Sequence, residues 1–422
     1  MTHRTPRDTQ QTPAPDARTS PPHAPRRRRR LAPTLAFALL GLGAAAAVAR
    51  ALPAPHPAPS PAPAPPDGNY ALFAVNELGM HCMQEDYSEF CILPPFNSIR
   101  AQLIQRGNPP VIVESGVDVR YTLPAQQRST DQTNFWVYAP ATFGVTLPPG
   151  IGLGGKGTSG TMNATGHGIF EAVGTPILSS DDEGRIEPYP LALISASGPM
   201  GTAYAPPVIP VSSEMSCSFC HGADGGSIAS SFLSDHDRLH GTHLIDQKPV
   251  LCAACHADPA LGAPGVPGVK TLSAAMHASH APRVGSLGLS NSCYACHPGV
   301  RSQCQRDLHA ARGIGCTQCH GSMESMGSTA RTPWVDEPRC GSCHHDGGME
   351  FEQPGKLFKE SVGHGGVRCT SCHGPPHAMV QSTNQLDNYL YQRLTGSSER
   401  IEECTTCHIS EPSGDFFHRV QQ

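Results

Sequence analysis

The second half of the sequence is poor in the residues that build a hydrophobic core. Between Cys217 and His408, about one residue in six is Ile, Leu, Val or Phe. So low an apolar content is typical of disordered chains. Glycine and proline, which number 43 and 42, predict many turns and little long regular structure. Apolar side chains alone therefore cannot stabilise this part of the protein.

Basic residues are scarce beyond the N-terminus. The formal net charge is -5, although residues 1–51 hold nine arginines against Asp8 and Asp16. The rest of the chain is therefore strongly acidic. Nucleic acid is excluded as a partner because binding it requires a basic face. Cysteine is absent from residues 31–67, which excludes lipoprotein processing.

Residues 1–50 have the pattern of a signal peptide or a single-span anchor. A basic block, Arg26–Arg30, precedes an apolar stretch over residues 31–48, and small residues follow it. This order is typical of a secretory signal. The apolar stretch is also near the length of an inner-membrane anchor. Both alternatives predict export to the periplasm or cell surface, with or without a tether to the inner membrane.

Composition divides the remaining chain into three parts. Residues 51–67 form a Pro/Ala-rich linker, which we expect to be extended. Residues 68–215 contain β-branched and aromatic stretches between turn residues, without a sustained helical period. They predict an all-β, sandwich-like domain of roughly seven to nine strands. The predicted strands lie at residues 71–75, 99–104, 111–121, 135–147 and 191–195. In residues 216–422 we expect short helices and loops.

The last part is built around the pentapeptide Cys-x-x-Cys-His, which occurs seven times. The motifs, numbered 1 to 7, are Cys217/Cys220/His221, Cys252/Cys255/His256, Cys293/Cys296/His297, Cys316/Cys319/His320, Cys340/Cys343/His344, Cys369/Cys372/His373 and Cys404/Cys407/His408. This pattern is the attachment signature of haem c. The two thiols bond to the haem, and the histidine then ligates the iron from the proximal side.

Three other interpretations explain this pattern less well. Zinc ribbons pair Cys-x-x-Cys units two by two, and their histidines usually lie in a separate element. A thioredoxin-like redox pair occurs once, within a βαβ pattern. A disulfide framework does not explain seven identical histidines. The sequence therefore predicts seven haem c groups, whose macrocycles form most of the core.

A second histidine for each iron is available from the same part of the chain. Ten histidines outside the motifs lie there, so all seven haems can be bis-histidine. Our first choices as distal ligands are His236, His240, His277, His280, His309, His364 and His377. His243, His345 and His418 are reserves. Met323 or Met326 would give one His/Met haem of raised potential.

Three cysteines lie outside the motifs. Cys82 and Cys91 are close enough in sequence to form a disulfide in an oxidising compartment. Met80, His81 and Met83, which surround Cys82, are soft copper ligands; a turn packed against the sheet is the simpler interpretation. Cys304 belongs to no motif, and we expect a buried thiol there.

The sequence resembles the exported bacterial multihaem c-type cytochromes, in the heptahaem form with an N-terminal β-domain. The resemblance is carried by LGMHCM and ILPPFN in the first half and by VSSEMSCSFCHG, PVLCAACHAD and GHGGVRCTSCHGPPH in the second. It implies single-electron transfer outside the cytoplasm, in respiratory or extracellular electron transfer. It also implies redox partners such as other cytochromes or a quinol-oxidising complex, and it implies no substrate.

Two other functions stay open at this point. A multihaem reductase or oxidase of a small nitrogen or sulfur compound would need one haem with an open site. All seven motifs end in histidine and distal candidates are plentiful, so an electron carrier is favoured over an enzyme. A cytochrome that forms filaments or acts at the cell surface is the third hypothesis, because the β-domain has no assigned role. The sequence leaves the oligomeric state open.

Overall fold

The computed structural model describes residues 68–215, 217–222, 226–344 and 352–413. All of them belong to one compact unit. The signal or anchor at residues 1–50, the linker at residues 51–67, and both His345 and His418 lie outside the described residues. Within the described ranges, no helix combines the length and the apolar character needed to cross a membrane.

The first part of the described chain, residues 68–215, is rich in strands, as predicted, and is called the β part below. Two antiparallel sheets dominate it, with strand orders β1-β4-β9-β8, where β5 also pairs with β4, and β11-β10-β6-β7. The strands are β1 Tyr70–Asn76, β2 His81–Cys82, β3 Phe90–Cys91, β4 Asn97–Gln105, β5 Val111–Ile112, β6 Asp118–Thr122, β7 Ser159–Thr161, β8 Asn163–Gly166, β9 Ile169–Thr175, β10 Leu193–Gly198, β11 Gly201–Ala205, β12 Val211–Ser212 and β13 Val250–Leu251.

The two sheets share one hydrophobic core. In β6, buried Val119 and Tyr121 alternate with exposed Asp118 and Arg120, as expected for a strand with one solvated face. Their buried side chains join a core cluster that includes Leu72 of the other sheet. The alternation of side chains across each strand therefore sets which face of each sheet is inside.

Strand β1 is different because both of its faces are covered. Its residues from Ala71 to Asn76 are buried without alternation. Leu72 packs in the shared core, whereas Ala71 and Phe73 form a second cluster against Val367 and Cys407 of the haem-motif part of the chain. The sheet of β1 thus lies between the β core and the C-terminal segment, and a strand buried on both faces has a continuous apolar sequence.

The strand predicted at residues 135–147 is wrong. Phe135–Phe143 form helix α1, which ends at Gly144 in the left-handed conformation. The aromatic residues suggested a strand, but Phe135 and Ala139 lie one helical turn apart and pack together in a separate buried cluster. The ring of Phe135 also contacts Tyr87 edge-on at 5.2 Å. Tertiary packing of the aromatic side chains therefore outweighs the local strand preference.

The second part of the chain consists of short helices and loops, as predicted. The remaining helices are α2 Ile228–His240, α3 Leu272–Val284, α4 Leu308–Ala311, α5 Cys316–His320, α6 Met323–Met326, α7 Cys369–His373 and α8 Gln385–Thr395. Motifs 4 and 6 form α5 and α7, and each of the other five motifs contains a short 3-10 turn.

Candidate haem-binding sites

Each motif folds as a single tight turn. In motif 1 the amide of His221 donates to the carbonyl of Cys217 at 3.0 Å, and motif 7 repeats this bond between His408 and Cys404 at 2.8 Å. A bond across four residues places the first cysteine and the histidine on one side of the turn. The local sequence thus presents two thiols and one imidazole on a single turn, which is the arrangement that covalent haem attachment uses.

The two cysteines of a motif differ in exposure. The first cysteine of every motif is half-buried, whereas the second is exposed in motifs 1 to 5 and half-buried in motifs 6 and 7. The exposed residues are Cys220, Cys255, Cys296, Cys319 and Cys343. The polypeptide therefore covers the second cysteine more fully in motifs 6 and 7 than in the other five.

Packing against strand β1 accounts for the cover of the second cysteine in motifs 6 and 7. Cys407 of motif 7 packs against the cluster that contains Ala71 and Phe73 of β1. In motif 6, the carbonyl of Cys372 accepts a hydrogen bond at 3.2 Å from the amide of Ile401, whose side chain packs against the same cluster. In motifs 1 to 5 the polypeptide leaves the second cysteine open to solvent. The attachment of haem through the cysteines of all seven motifs stays a prediction from the sequence.

Among the described residues, six motif histidines face a second histidine from elsewhere in the chain. The ring centroids are 6.0 to 6.4 Å apart in every pair. The pairs are His221–His280, His256–His236, His297–His277, His320–His377, His344–His309 and His408–His364. The structure therefore brings six of the seven first-choice distal histidines opposite a motif histidine.

This separation fits one iron between two imidazoles. A metal–nitrogen bond is about 2.0 Å long, and the centre of an imidazole ring lies roughly 1 Å behind its ligating nitrogen. Two rings on opposite sides of one iron therefore have centroids about 6 Å apart. Direct packing brings His236 and His240 to 4.8 Å. The six pairs are thus spaced for an atom between them.

The second ring nitrogen of most distal histidines is already hydrogen-bonded. Nδ1 of His277 and of His280 donates to the helix carbonyls of Ser273 and Met276, at 2.8 and 2.7 Å. In two other distal histidines the acceptor is not a helix carbonyl. Nδ1 of His309 donates to a carboxylate oxygen of Asp307 at 3.1 Å, and Nδ1 of His377 donates to the carbonyl of Leu78 at 3.2 Å. His236 donates to the hydroxyl of Thr242 at 2.9 Å, because that hydroxyl donates its own hydrogen to Asp237. Such bonds fix the tautomer and leave Nε2 for a metal.

Burial keeps at least two of the motif histidines neutral. It lowers the pKa of His297 and the pKa of His320 to about 4 each, and the neighbouring histidines lower both values further. A protonated imidazole has no lone pair for iron, so a low pKa maintains the form that ligates. The residues present in these sites therefore fit haem c.

Helix α3 serves two sites. His277 and His280 are three residues apart on it, so their side chains lie on neighbouring positions of one face. His277 faces motif 3 and His280 faces motif 1. Motifs 3 and 4 are also close, because the amide of Asn291 donates to the sulfur of Cys316 at 3.5 Å. The two motifs are also close in sequence, because Cys293 and Cys316 are 23 residues apart.

The β part of the chain holds several motifs directly. The side-chain oxygen of Gln102 accepts hydrogen bonds from the amide of Arg368 and the hydroxyl of Ser371, both at 3.0 Å, beside and within motif 6. Gly107 pairs with motif 7 by donating its amide to the carbonyl of Cys407 at 3.2 Å. At motif 2, β13 pairs in parallel with β3. The sequence contained no signal for these contacts because they join residues far apart in the chain.

The other candidate residues have different environments. His240 is exposed, and its ring contacts His236 instead of a motif histidine. His243 is also exposed. Met323 and Met326 lie on α6, which packs against α3. The reserves His345 and His418 lie outside the described residues.

The residues around Cys82 form a packed turn. Met80 and Met83 are buried, and in the described chain no three His, Cys, Asp or Glu side chains are grouped as a metal ion requires. Cys82 and Cys91 are both free thiols. The structure has no disulfide between them; Cys82 lies on β2, which pairs with β12, and Cys91 lies on β3, which pairs with β13. Cys304, where we expected a buried thiol, is half-buried, and burial raises the pKa of its thiol to about 11.

Comparison with known proteins gives one match. Residues 323–374, which contain motifs 5 and 6, match the family described as cytochrome c554 and c-prime. No curated protein and no solved structure matches the chain. The family match covers a short part of the sequence, and it supports a c-type cytochrome that binds haem c covalently and takes part in electron transfer.

Proposed function

We propose that this protein is an exported heptahaem cytochrome c that transfers single electrons. The observation that carries the proposal is the set of six histidine pairs, each with ring centroids 6.0 to 6.4 Å apart. The family match to residues 323–374 supports the same class of protein independently. The count of seven haems comes from the seven motifs in the sequence.

The chain's residues divide the work of holding each cofactor. The motif cysteines would hold the haem covalently, and the motif histidine and its paired histidine would ligate the iron. When bound, haem iron supplies one-electron redox chemistry. The hydrogen bonds at Nδ1 orient the distal rings, and burial of His297 and His320 keeps them neutral.

Two histidine ligands favour electron transfer over catalysis. A substrate must reach the iron, and an imidazole on each side occupies both axial positions. The contacts with the β part also hold several motifs in fixed positions. Rigid sites change little between oxidised and reduced states, which suits a carrier that exchanges electrons with other redox proteins. We infer export from the predicted signal or anchor at residues 1–50.

Optical and EPR spectra of the purified holoprotein test this function. We expect low-spin haem in the ferric protein and no spectral change when carbon monoxide is added to the ferrous protein. The reductase hypothesis predicts one high-spin haem that binds carbon monoxide, cyanide or nitrite. Fractionation of cells tests export separately, because an exported protein is released with the periplasm or retained with the inner membrane.

A further inference from the structure

The loop between β1 and β2 meets the segment that follows motif 6. The carbonyl of Leu78 accepts a hydrogen bond from Nδ1 of His377 at 3.2 Å. The next carbonyl, that of Gly79, accepts one from Nη2 of Arg306 at 2.8 Å. Two consecutive carbonyls of the β part are thus bound by side chains of the haem-motif part. This loop belongs to the LGMHCM segment, which otherwise has no role in the sites.

Only glycine fits at position 79. Its φ is +79°, and an added Cβ would lie 1.8 Å from the carbonyl oxygen of Pro376. That oxygen belongs to the residue directly before His377. A side chain at position 79 would therefore push the loop away from His377 or displace the backbone that carries His377. The close approach of two backbones is a common reason for a glycine.

The backbone of His377 is itself held in an uncommon conformation. Its φ is +65°, in the left-handed region that non-glycine residues seldom adopt. The carbonyl of His377 accepts a hydrogen bond from the amide of Arg306 at 2.9 Å. Conformations of this kind persist where the surrounding structure fixes them. Arg306 therefore contacts both Gly79 and His377.

Arg306 is fixed in turn by its own contacts. Its side chain is about 1% exposed and forms two hydrogen bonds with the carboxylate of Asp387, at 2.7 and 2.8 Å. The guanidinium also lies over the ring of Tyr189, 5.2 Å from its centroid. A buried, bidentate arginine holds a defined geometry. The support around His377 is therefore rigid.

We propose that Leu78, Gly79 and Arg306 position His377 as the distal ligand opposite His320. On this account the β part completes one haem site, in addition to packing against the others. The inference rests on the proposed function, in which His320 and His377 ligate one iron. The hydrogen bond to Leu78 fixes the tautomer that leaves Nε2 free, and it raises the basicity of the ring.

Gly79→Ala in the full-length holoprotein tests the inference. The added methyl group collides with Pro376, so we expect His377 to leave the iron. The ferric variant should then show the high-spin EPR signal of one haem, and the ferrous variant should bind one carbon monoxide, with total haem unchanged. His377→Ala sets the size of both signals.

Gly116→Ala is the matched control. Gly116 has a similar φ, +76°, and an added Cβ would have no atom within 4 Å. The two variants share the backbone strain of alanine at positive φ, and only Gly79→Ala has the collision. We expect Gly116→Ala to keep the spectra of the unmodified protein. A high-spin signal of equal size in both glycine variants would overturn the inference, because strain alone would then suffice.

The remaining outcomes separate this inference from the proposed function. If His377→Ala gains a high-spin haem and Gly79→Ala stays low-spin, the positioning role is wrong and the ligand assignment stands. If His377→Ala stays low-spin, His377 is not a ligand, and both the positioning role and the ligand assignment fail at this site.

Should Gly79→Ala not accumulate, Arg306→Lys gives a second measurement. A lysine can face Asp387 but lacks the fork that also reaches Gly79, so we expect carbon monoxide binding at one haem. Its absence would overturn the inference.

Discussion

The imidazole rings of His277 and His297 are nearly parallel, with an interplanar angle of 22° and centroids 6.1 Å apart. His320 and His377 have the same relationship, at 25° and 6.0 Å. The rings of His236 and His256 are close to perpendicular, at 89°. The six pairs therefore differ in ring orientation although they share one spacing, and iron bound between them will sense that difference.

Ring orientation predicts two classes of EPR signal. Two iron d orbitals of similar energy can interact with the imidazole ligands. Parallel imidazoles both interact with one of these orbitals, so the two orbitals separate in energy. Perpendicular imidazoles each interact with a different orbital, so the two orbitals stay close in energy. We expect rhombic low-spin signals from near-parallel pairs and highly anisotropic ones from near-perpendicular pairs. His277→Ala should remove a rhombic signal, and His236→Ala an anisotropic one. One uniform class of signal would contradict the observed ring angles.

Removing a distal histidine should open one haem to added ligand. In His309→Ala we expect the ferrous protein to bind one carbon monoxide, because His309 is the partner of His344 at 6.2 Å. The control is His240→Ala, since His240 is exposed and contacts His236 instead of a motif histidine. It should behave as the unmodified protein does. Carbon monoxide binding in the His240 variant alone would mean that His240, and not His309, is a haem ligand.

Asp307 should lower the potential of the haem that His309 ligates. Its Oδ2 accepts from Nδ1 of His309, and its Oδ1 accepts from the amide of Ala310 as the cap of α4. Asp307→Asn can keep the cap but replaces the charged acceptor. The ligand becomes less basic, so we expect one midpoint potential to rise, on the order of 60 mV for a tenfold change in relative affinity.

A spectroelectrochemical titration measures this shift. Asp131→Asn is the control, because Asp131 is an exposed carboxylate that pairs with Arg128 in the first part of the chain and belongs to no motif. That variant should leave all potentials unchanged. A fall in potential in Asp307→Asn, or an equal shift in both variants, would refute the role of the carboxylate.

The buried pair between Arg306 and Asp387 should matter far more for stability than surface pairs do. Both side chains are nearly inaccessible, at 1% and 3% exposed. Removing one partner leaves an uncompensated buried charge, so we expect Asp387→Ala to lower the free energy of unfolding by about 3–5 kcal/mol. Asp131→Ala, which breaks the exposed pair with Arg128, should cost less than about 1 kcal/mol. Denaturant unfolding followed by circular dichroism compares them.

Acid should destabilise the fold partly through His81. Burial lowers the pKa of His81 to about 4, against the opposing effect of Glu77. In the unfolded chain the pKa of a histidine is about 6.5. Between pH 4 and pH 6.5, His81 is therefore protonated in the unfolded chain and neutral in the folded one. Stability therefore falls as the pH drops from 6.5 to 4, by up to about 3 kcal/mol. His81→Gln should remove this part of the pH dependence, measured by denaturant unfolding at each pH. An unchanged profile in that variant would contradict the buried, neutral state.

Much of the candidate site could be predicted because its signals are local. The Cys-x-x-Cys-His turn depends on five consecutive residues. His277 and His280 are three residues apart in the sequence, and both lie on α3, where that spacing gives neighbouring positions of one face. His236 and His240 are four residues apart on α2, but of these two His236 faces a motif histidine and His240 does not. Helical spacing sets which side chains are neighbours, and tertiary packing decides which motif each one faces.

The exposure of the motif cysteines also depends on tertiary packing and could not be predicted from the sequence. The same motif pattern occurs in different environments: Cys220, Cys255 and Cys343 are exposed, whereas Cys372 and Cys407 are half-buried. The difference depends on which motifs pack against the β part, as Cys407 does. A motif of five residues carries no information about that packing.

The other parts that could not be predicted also depend on contacts between distant residues. Strands β1 and β4 were evident from their apolar runs, whereas the region of α1 was assigned as a strand because its aromatic packing is not visible in the sequence. Strands β7 and β8 are short and contain small residues that give little β signal. The bond from His377 to Leu78 spans 299 residues, and no local pattern reveals it.

The central claim is that seven motifs each carry a covalently bound haem with two histidine ligands. The most direct measurement is the haem-to-protein ratio of the purified chain by pyridine haemochrome after acid–acetone extraction, together with its ferric EPR spectrum. We expect seven haems per chain that resist extraction, all of them low-spin. A haem content near zero with bound zinc, or a high-spin signal from most of the haem, would contradict it.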